Sequence, residues 1–180
     1  MSNGTELYRR YIDGDEHAFD ELVLTYRRGL ILFIDRLLHN QAISEEVAAD
    51  TFVELILHKK RFQGGSDFRT YLYAIARHKA VDHIRKEARR KSVSTDEIAE
   101  LPGENDIEND LISTVQEREL HRAISALPKD YQAAIYLVYF EDLSYADAAK
   151  ILGKNIKQID NAVYRAKAAL KDFLTKGGRF

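Results

Sequence analysis

Apolar residues recur at intervals of three and four along most of this chain. A helix of about 3.6 residues per turn gathers such positions on one face, whereas a strand needs alternation. Strand-like alternation of useful length is missing from the sequence, and only two prolines and nine glycines interrupt 180 residues. The chain is therefore expected to be all-α. Its first long segment runs from about Asp13 to Leu38 and carries Phe19, Leu22, Val23, Tyr26, Leu30, Phe33 and Leu37 at helical spacing. Asp13 with Glu16 is the pattern of an N-terminal capping box. Ser44 is expected to cap a second helix, with Glu45 and Glu46 favourably placed against its dipole and Val47, Ala48, Thr51, Phe52, Leu55 and Ile56 as its apolar stripe. Gly64-Gly65 breaks the pattern, Ser66 is expected to cap a third helix, and that helix runs into a basic end at Arg85 to Lys91.

The acidic segment from about Ser92 to Asn109 contains Pro102-Gly103 and reads as a flexible linker, with one short helix suggested by Ser94 and Glu97. The expected organisation is two small helical domains, 1–91 and 110–180, joined by the linker 92–109. Helices are expected over about Asp110–Leu127, Pro128–Phe140, Ser144–Leu152 and Asn155–Thr175, with Pro128 in a first turn, where the missing N–H costs nothing.

Charge is strongly segregated although the total is only −2. Arg77–Lys91 holds seven basic and two acidic residues, net +5, and Lys154–Arg179 repeats that balance. Ser94–Glu119 between them holds nine acids and one Arg, net −8. Two basic blocks of this kind suit a polyanion. The absence of cysteine excludes disulfides, thiol catalysis and Cys-ligated metals. An apolar run of the roughly 20 residues that cross a bilayer is also missing, and polar Met1–Asp15 does not read as a signal peptide. A cytoplasmic setting without membrane insertion is expected.

Ser144 to Leu170 carries the most chemistry. A short helix with Tyr145, Ala148, Ala149 and Leu152 inward meets a turn at Gly153-Lys154-Asn155. A longer helix follows, with Ile156, Ile159, Val163, Ala166 and Leu170 on one side. Its other side shows Lys157, Gln158, Asn161, Tyr164, Arg165 and Lys167. This is the pattern of a helix-turn-helix. Gln and Asn pair with adenine edges, Arg with guanine edges and Lys with phosphate. Asp160 is repelled by phosphate but can accept from cytosine N4. A solvated helical hairpin would show the same polar side. In the third helix His78, Asp82 and Arg85 share one face, with Tyr71 one heptad earlier. An aromatic ring beside basic groups can stack an unpaired base, and the alternative is a core tyrosine with a surface ion pair above it. The second helix exposes Glu45, Glu46, Asp50 and Glu54, which suits either a basic partner helix or plain solvation.

The order of these parts resembles the extracytoplasmic-function sigma factors of bacterial RNA polymerase. Ala18-Phe19 with Leu22 and Tyr26, Glu45 to Phe52, Phe68 to Arg77, Asp82 to Lys86, Leu127-Pro128, Leu143 to Tyr145 and Tyr164 to Lys167 carry the resemblance. It implies a region 2-like bundle and a region 4-like helix-turn-helix. It implies that Glu46, Asp50, Thr51 and Phe52 bind the clamp helices of core polymerase. Tyr71, Arg77, His78, Asp82 and Arg85 would lie at the −10 element as its strands part. Lys157, Gln158, Asp160, Asn161, Tyr164, Arg165 and Lys167 would lie at the −35 element. Partners implied are core polymerase (clamp helices and flap), promoter DNA and a cognate anti-sigma factor, with no cofactor. Tyr71 stands where the family commonly has Trp, His78 where it has Asn and Ala49 where it has Gln.

Two other readings follow from the residues alone. One is a stand-alone helix-turn-helix regulator that binds duplex DNA without polymerase. The other is an enzyme, but His78 and His83 are five residues apart, about 140° around a helix, and do not converge on a metal. A phosphate-binding glycine loop and a nucleophile motif are both lacking, so no catalytic role is expected.

Overall fold

A computed structural model describes residues 3–59, 62, 64–93 and 115–175. Among these residues every regular element is helical, and the chain divides into two compact units, Met1–Gly103 and Glu104–Phe180. The first contains α1 (Asn3–Ile12), α2 (Glu16–Leu38), α3 (Gln41–Leu57) and α4 (Phe68–Val93). α2 is the spine of this unit and packs against α1, α3 and α4. Its inner positions Leu22, Tyr26, Leu30, Phe33 and Ile34 are buried at helical spacing. Each fully buried side chain of this size contributes roughly 1.5–3 kcal/mol, several times what a surface ion pair supplies. Packing, not charge pairing, holds the unit together.

α1 lies in the segment that reads as merely polar from sequence. Gly4, Leu7, Tyr8 and Tyr11 nevertheless recur at i, i+3, i+4 and i+7, and all four are buried. The turn after α1 closes at Asp13, whose N–H donates to the Arg9 carbonyl at 3.0 Å. The cap of α2 therefore falls to Asp15 rather than Asp13. Its carboxylate accepts from the Ala18 N–H at 3.3 Å and from Arg10 at 2.6 Å. α3, by contrast, starts earlier than the sequence pattern suggests. Asn40 caps it by accepting from the Ile43 N–H at 3.1 Å. Ser44 is buried inside the helix and its hydroxyl donates to the Asn40 carbonyl at 2.7 Å. At α4 the capping side chain is Asp67, which accepts from the Arg69 N–H at 2.8 Å, and not Ser66. Ser92 and Val93 belong to α4, while the rest of the expected linker, with the short helix at Ser94–Glu97, lies outside the described residues.

The second unit contains α5 (Val115–Ser125), α6 (Lys129–Ile135), a π-helical turn (Tyr136–Phe140), α7 (Tyr145–Leu152) and α8 (Ile156–Thr175). The stretch 110–114, expected to open α5, lies outside the described residues. Pro128 precedes α6 as its cap residue rather than its first residue, and its carbonyl accepts from Tyr131 and Gln132 at 2.8 and 3.0 Å. Buried Gln132 donates to the Ser125 and Leu127 carbonyls at 3.0 and 2.7 Å, satisfying the open end of α5. The expected regular helix to Phe140 changes at Tyr136, where the Glu141 N–H reaches back five residues to the Tyr136 carbonyl. α8 packs on α5, α6 and α7 through Ile159, Ala162, Val163 and Ala166.

Two outcomes are expected. A Cβ at Gly4 would collide with the Tyr26 hydroxyl and the Phe68 ring, both buried. Ala gains up to about 1 kcal/mol of helix propensity, whereas overpacking costs roughly 1–3 kcal/mol. Gly4→Ala should lower the melting temperature of the chain by several degrees in circular dichroism. Arg10 holds the Asp15 carboxyl below its ordinary range. Its stabilising effect is therefore full above the unfolded carboxyl value and is lost as pH falls through the lowered one. Urea midpoints across a pH series should fall less steeply on the acid side for Asp15→Asn than for the parent.

Candidate nucleic-acid interface

The helix-turn-helix is built by three local devices. Ser144 caps α7 by accepting from the Asp147 N–H at 3.1 Å, while its hydroxyl donates to the Asp147 carboxylate at 2.6 Å. Gly153 ends α7 at φ 61°, the left-handed region that disfavours a side chain. The Lys154 N–H closes this end onto the Ala149 carbonyl at 3.0 Å, which is the Schellman arrangement. Asn155 and Gln158 then start α8 reciprocally. The Asn155 side-chain oxygen accepts from the Gln158 N–H at 2.8 Å, and that of Gln158 accepts from the Asn155 N–H at 2.9 Å.

This geometry fixes which side of α8 faces out. Lys157, Gln158, Asp160, Asn161, Tyr164 and Arg165 are all exposed, Tyr164 at 74%. Lys157, Asn161, Tyr164 and Arg165 fall on one stripe. Ile156, expected inward, is 55% exposed. It is the first residue of α8, and first-turn side chains project past the end of a helix instead of onto its partner. Tyr145 is half-buried rather than wholly inward. Lys167 is committed within the domain. Its ammonium sits 4.9 Å from the centroid of the Tyr139 ring. The neighbouring Tyr139 hydroxyl raises the pKa of this ammonium. Gln158 has two duties, since its oxygen caps α8 while its amide N–H groups face outward. Lys154, at the turn, is paired with Asp130 at 2.8 Å.

In the first unit, α4 presents Tyr71 and Arg77, both half-buried, and His78, Asp82 and Arg85, all exposed. Asp82 forms a surface ion pair with Arg85 at 3.7 Å. Tyr71 is neither a core residue nor a free ring. It packs on Phe62 with ring centroids 5.1 Å apart and keeps part of its surface open. Beyond it, Arg85, Lys86, Arg89, Arg90 and Lys91 form an exposed basic end. An open aromatic edge followed by clustered cations suits a strand with unpaired bases.

α3 shows an acidic and then apolar outer side: Glu45, Glu46, Asp50, Val53, Ile56 and Leu57 are exposed, Leu57 at 69%. Ile56 thus leaves the inner stripe expected of it. Glu54 is only half-exposed and pairs with His58 and Lys79, each at 3.5 Å. Thr51 and Phe52 are buried on the inner side. The Thr51 hydroxyl donates to the Val47 carbonyl at 2.7 Å, and the Phe52 ring meets Phe19 edge-on. They hold α3 on its neighbours and do not form its outer surface, so a partner would meet Glu46 and Asp50. Sequence reasoning missed the roles of Tyr139, Asp130 and Phe62, because none belongs to a local pattern and each acts across an element boundary. Among the described residues no three His, Asp or Glu side chains are placed to hold a metal ion.

The sequence profile of sigma-70 region 2 matches residues 22–90, and that of sigma-70 region 4 matches residues 117–170. The RNA polymerase sigma-H factor of Pseudomonas aeruginosa is 30% identical over 174 residues, covering 92% of this chain and 90% of that protein. The ECF RNA polymerase sigma-E factor of Haemophilus influenzae is 28% identical over 176 residues, covering 92% of each chain. Among solved structures, the sigma factor RpoE in complex with the anti-sigma factor NepR from Bartonella quintana superposes with a TM-score of 0.69 at 25% identity. That match covers 87% of this chain and 96% of that one.

The Asp130–Lys154 pair generates a prediction. Asp130→Asn releases the ammonium at the turn without touching α8. Binding to random-sequence duplex should tighten by about two- to fivefold at low salt, and the log–log salt slope should steepen by about one. Fluorescence anisotropy of a labelled duplex across a salt series measures both.

Proposed function

The chain belongs to the extracytoplasmic-function sigma factors of bacterial RNA polymerase, and from that premise we propose a division of labour among its helices. It is a transcription initiation factor, not a stand-alone regulator. The outer side of α3, with Glu46 and Asp50, docks on the clamp helices of core polymerase, and the second unit meets the flap. Thr51 and Phe52 support that side from beneath. Tyr71, Arg77, His78, Asp82 and Arg85 of α4 lie at the −10 element. There Tyr71 stacks against a base leaving the duplex and the basic end of α4 follows the backbone. Lys157, Gln158, Asp160, Asn161, Tyr164 and Arg165 of α8 lie in the major groove at the −35 element. Lys167 acts one step back by tying α8 to Tyr139. The first domain runs through the end of α4 at Val93 and the second covers 110–180, with the stretch between them as linker.

The chain performs no catalysis of its own and works in the cytoplasm. Among the described residues no helix is long and apolar enough to cross a membrane. A cognate anti-sigma factor holds it inactive by covering the faces that polymerase uses. The apolar half of α3 at Val53, Ile56 and Leu57 suits such a cover. The observation that carries the reading is the pairing in one chain of an acidic–apolar outer helix with two separate basic helices. A duplex-binding regulator has no use for the first or for an aromatic at the start of α4.

Co-migration with sigma-free core polymerase on a native gel tests this. The parent chain should shift core, and Asp50→Arg should abolish the shift while leaving the melting temperature unchanged. If neither chain shifts core, the clamp-docking assignment fails.

A further inference from the structure

α1 carries no motif of its own, yet one side of it grips both ends of the connection between α3 and α4. Thr5, Tyr8 and Tyr11 recur at intervals of three and so share a face. The Thr5 hydroxyl accepts from the Phe68 N–H, at the first residue of α4, at 3.4 Å. The Tyr8 hydroxyl donates to the Lys59 carbonyl, just past α3, at 2.7 Å. The Lys59 ammonium lies 4.4 Å from the centroid of the Tyr11 ring. The rings continue this contact. Tyr8 stacks on Phe68 at 4.9 Å and meets Phe62 edge-on at 5.6 Å, and Phe62 in turn packs on Tyr71 at 5.1 Å.

We propose that Tyr8 is a positioning residue for promoter opening. It fixes the Lys59 backbone and the Phe62 ring, which together set the angle at which Tyr71 meets an unpaired base, and it does so without touching DNA. This rests on the assignment of Tyr71 to the −10 element. Burial, helped by Tyr71 and Tyr11, pushes the Tyr8 pKa up to about 12, so the hydroxyl remains a donor at any physiological pH. Tyr8 itself is 2% exposed, which excludes direct contact with a strand. The arrangement separates two steps. Holding the duplex relies on α8 and the basic end of α4, which α1 does not reach through these contacts. Opening relies on the Tyr71 ring, which it does.

The test uses the full chain with core polymerase on a duplex selected from a random-sequence pool by the parent holoenzyme. Tyr8→Phe keeps every ring contact and removes only the bond to Lys59. It should slow opening, followed by permanganate reactivity of unpaired thymines, about fivefold, the effect of one lost hydrogen bond. Affinity for core and for the closed duplex should stay within about twofold. A copy of the duplex already mismatched across the opened segment should restore the parent rate. Leu7→Ala, a buried aliphatic truncation on α1 that leaves the Tyr8 hydroxyl in place, should lower the melting temperature without slowing opening. Equal opening by Tyr8→Phe and parent, with Tyr71→Ala slow, overturns the role of Tyr8 and leaves that of Tyr71 intact. Parent-like opening by Tyr71→Ala overturns the −10 assignment and this inference with it. If Tyr8→Phe loses core binding in step with opening, or Leu7→Ala slows opening equally, α1 is a packing element and the inference fails.

Discussion

Units of this size have little interior, so each helix must spend one side on burial to be stable at all. That constraint organises the whole molecule. α2 spends most of its circumference and becomes a spine, while α3 spends Val47, Ala48, Thr51, Phe52 and Leu55 and keeps its opposite side free. α8 spends Ile159, Ala162, Val163 and Ala166 and leaves a polar stripe. Function occupies what stability does not need. The surfaces proposed to meet polymerase and promoter are the remainders of helices whose inner sides are already committed, and this is why they can be chemically unlike one another.

The two units reach the same end by different means. The first relies on aromatic side chains that touch across three helices and the α3–α4 connection, with Phe68 meeting Tyr8, Tyr26 and Phe62. Rings are large and stiff, so a contact between two of them transmits an angle as well as a distance. The second relies on hydrogen bonds at helix ends: Ser144 with Asp147, Gly153 at the turn, and Asn155 with Gln158. End caps define where a helix begins, and hence which residues a groove would meet. If the first unit opens strands and the second reads a groove, as proposed, each is built on the interaction that controls the variable it depends on.

Most of this was legible in the chain, with particular exceptions. The helix-turn-helix could be placed to the residue, because both of its caps are local patterns of three or four residues. The caps of α2, α3 and α4 could not, because each start offers two polar residues within a turn and tertiary packing chooses between them. Asp15 wins over Asp13 because α1 is already wound through Ile12, and α1 was missed because its arginines mask the spacing of Leu7, Tyr8 and Tyr11. The outer positions of α8 followed from periodicity. The commitment of Lys167 to Tyr139 did not, because it depends on a π-helical turn that no propensity signals. Thr51 and Phe52 show the converse limit. Resemblance assigned them to a partner surface, while their own apolar spacing already put them inside.

The double duty of Gln158 bears on how such a factor could acquire a new promoter preference. Its oxygen is fixed by the Asn155 N–H, so the orientation of its amide is set by the helix start. A replacement chosen for a different base would also give up the bond to the Asn155 N–H and loosen the start of the helix. Lys157, Asn161 and Arg165 carry no such obligation among the described residues. Retargeting, whether by natural drift or by engineering, is therefore freest at those three positions. Position 158 would hold the frame against which they vary.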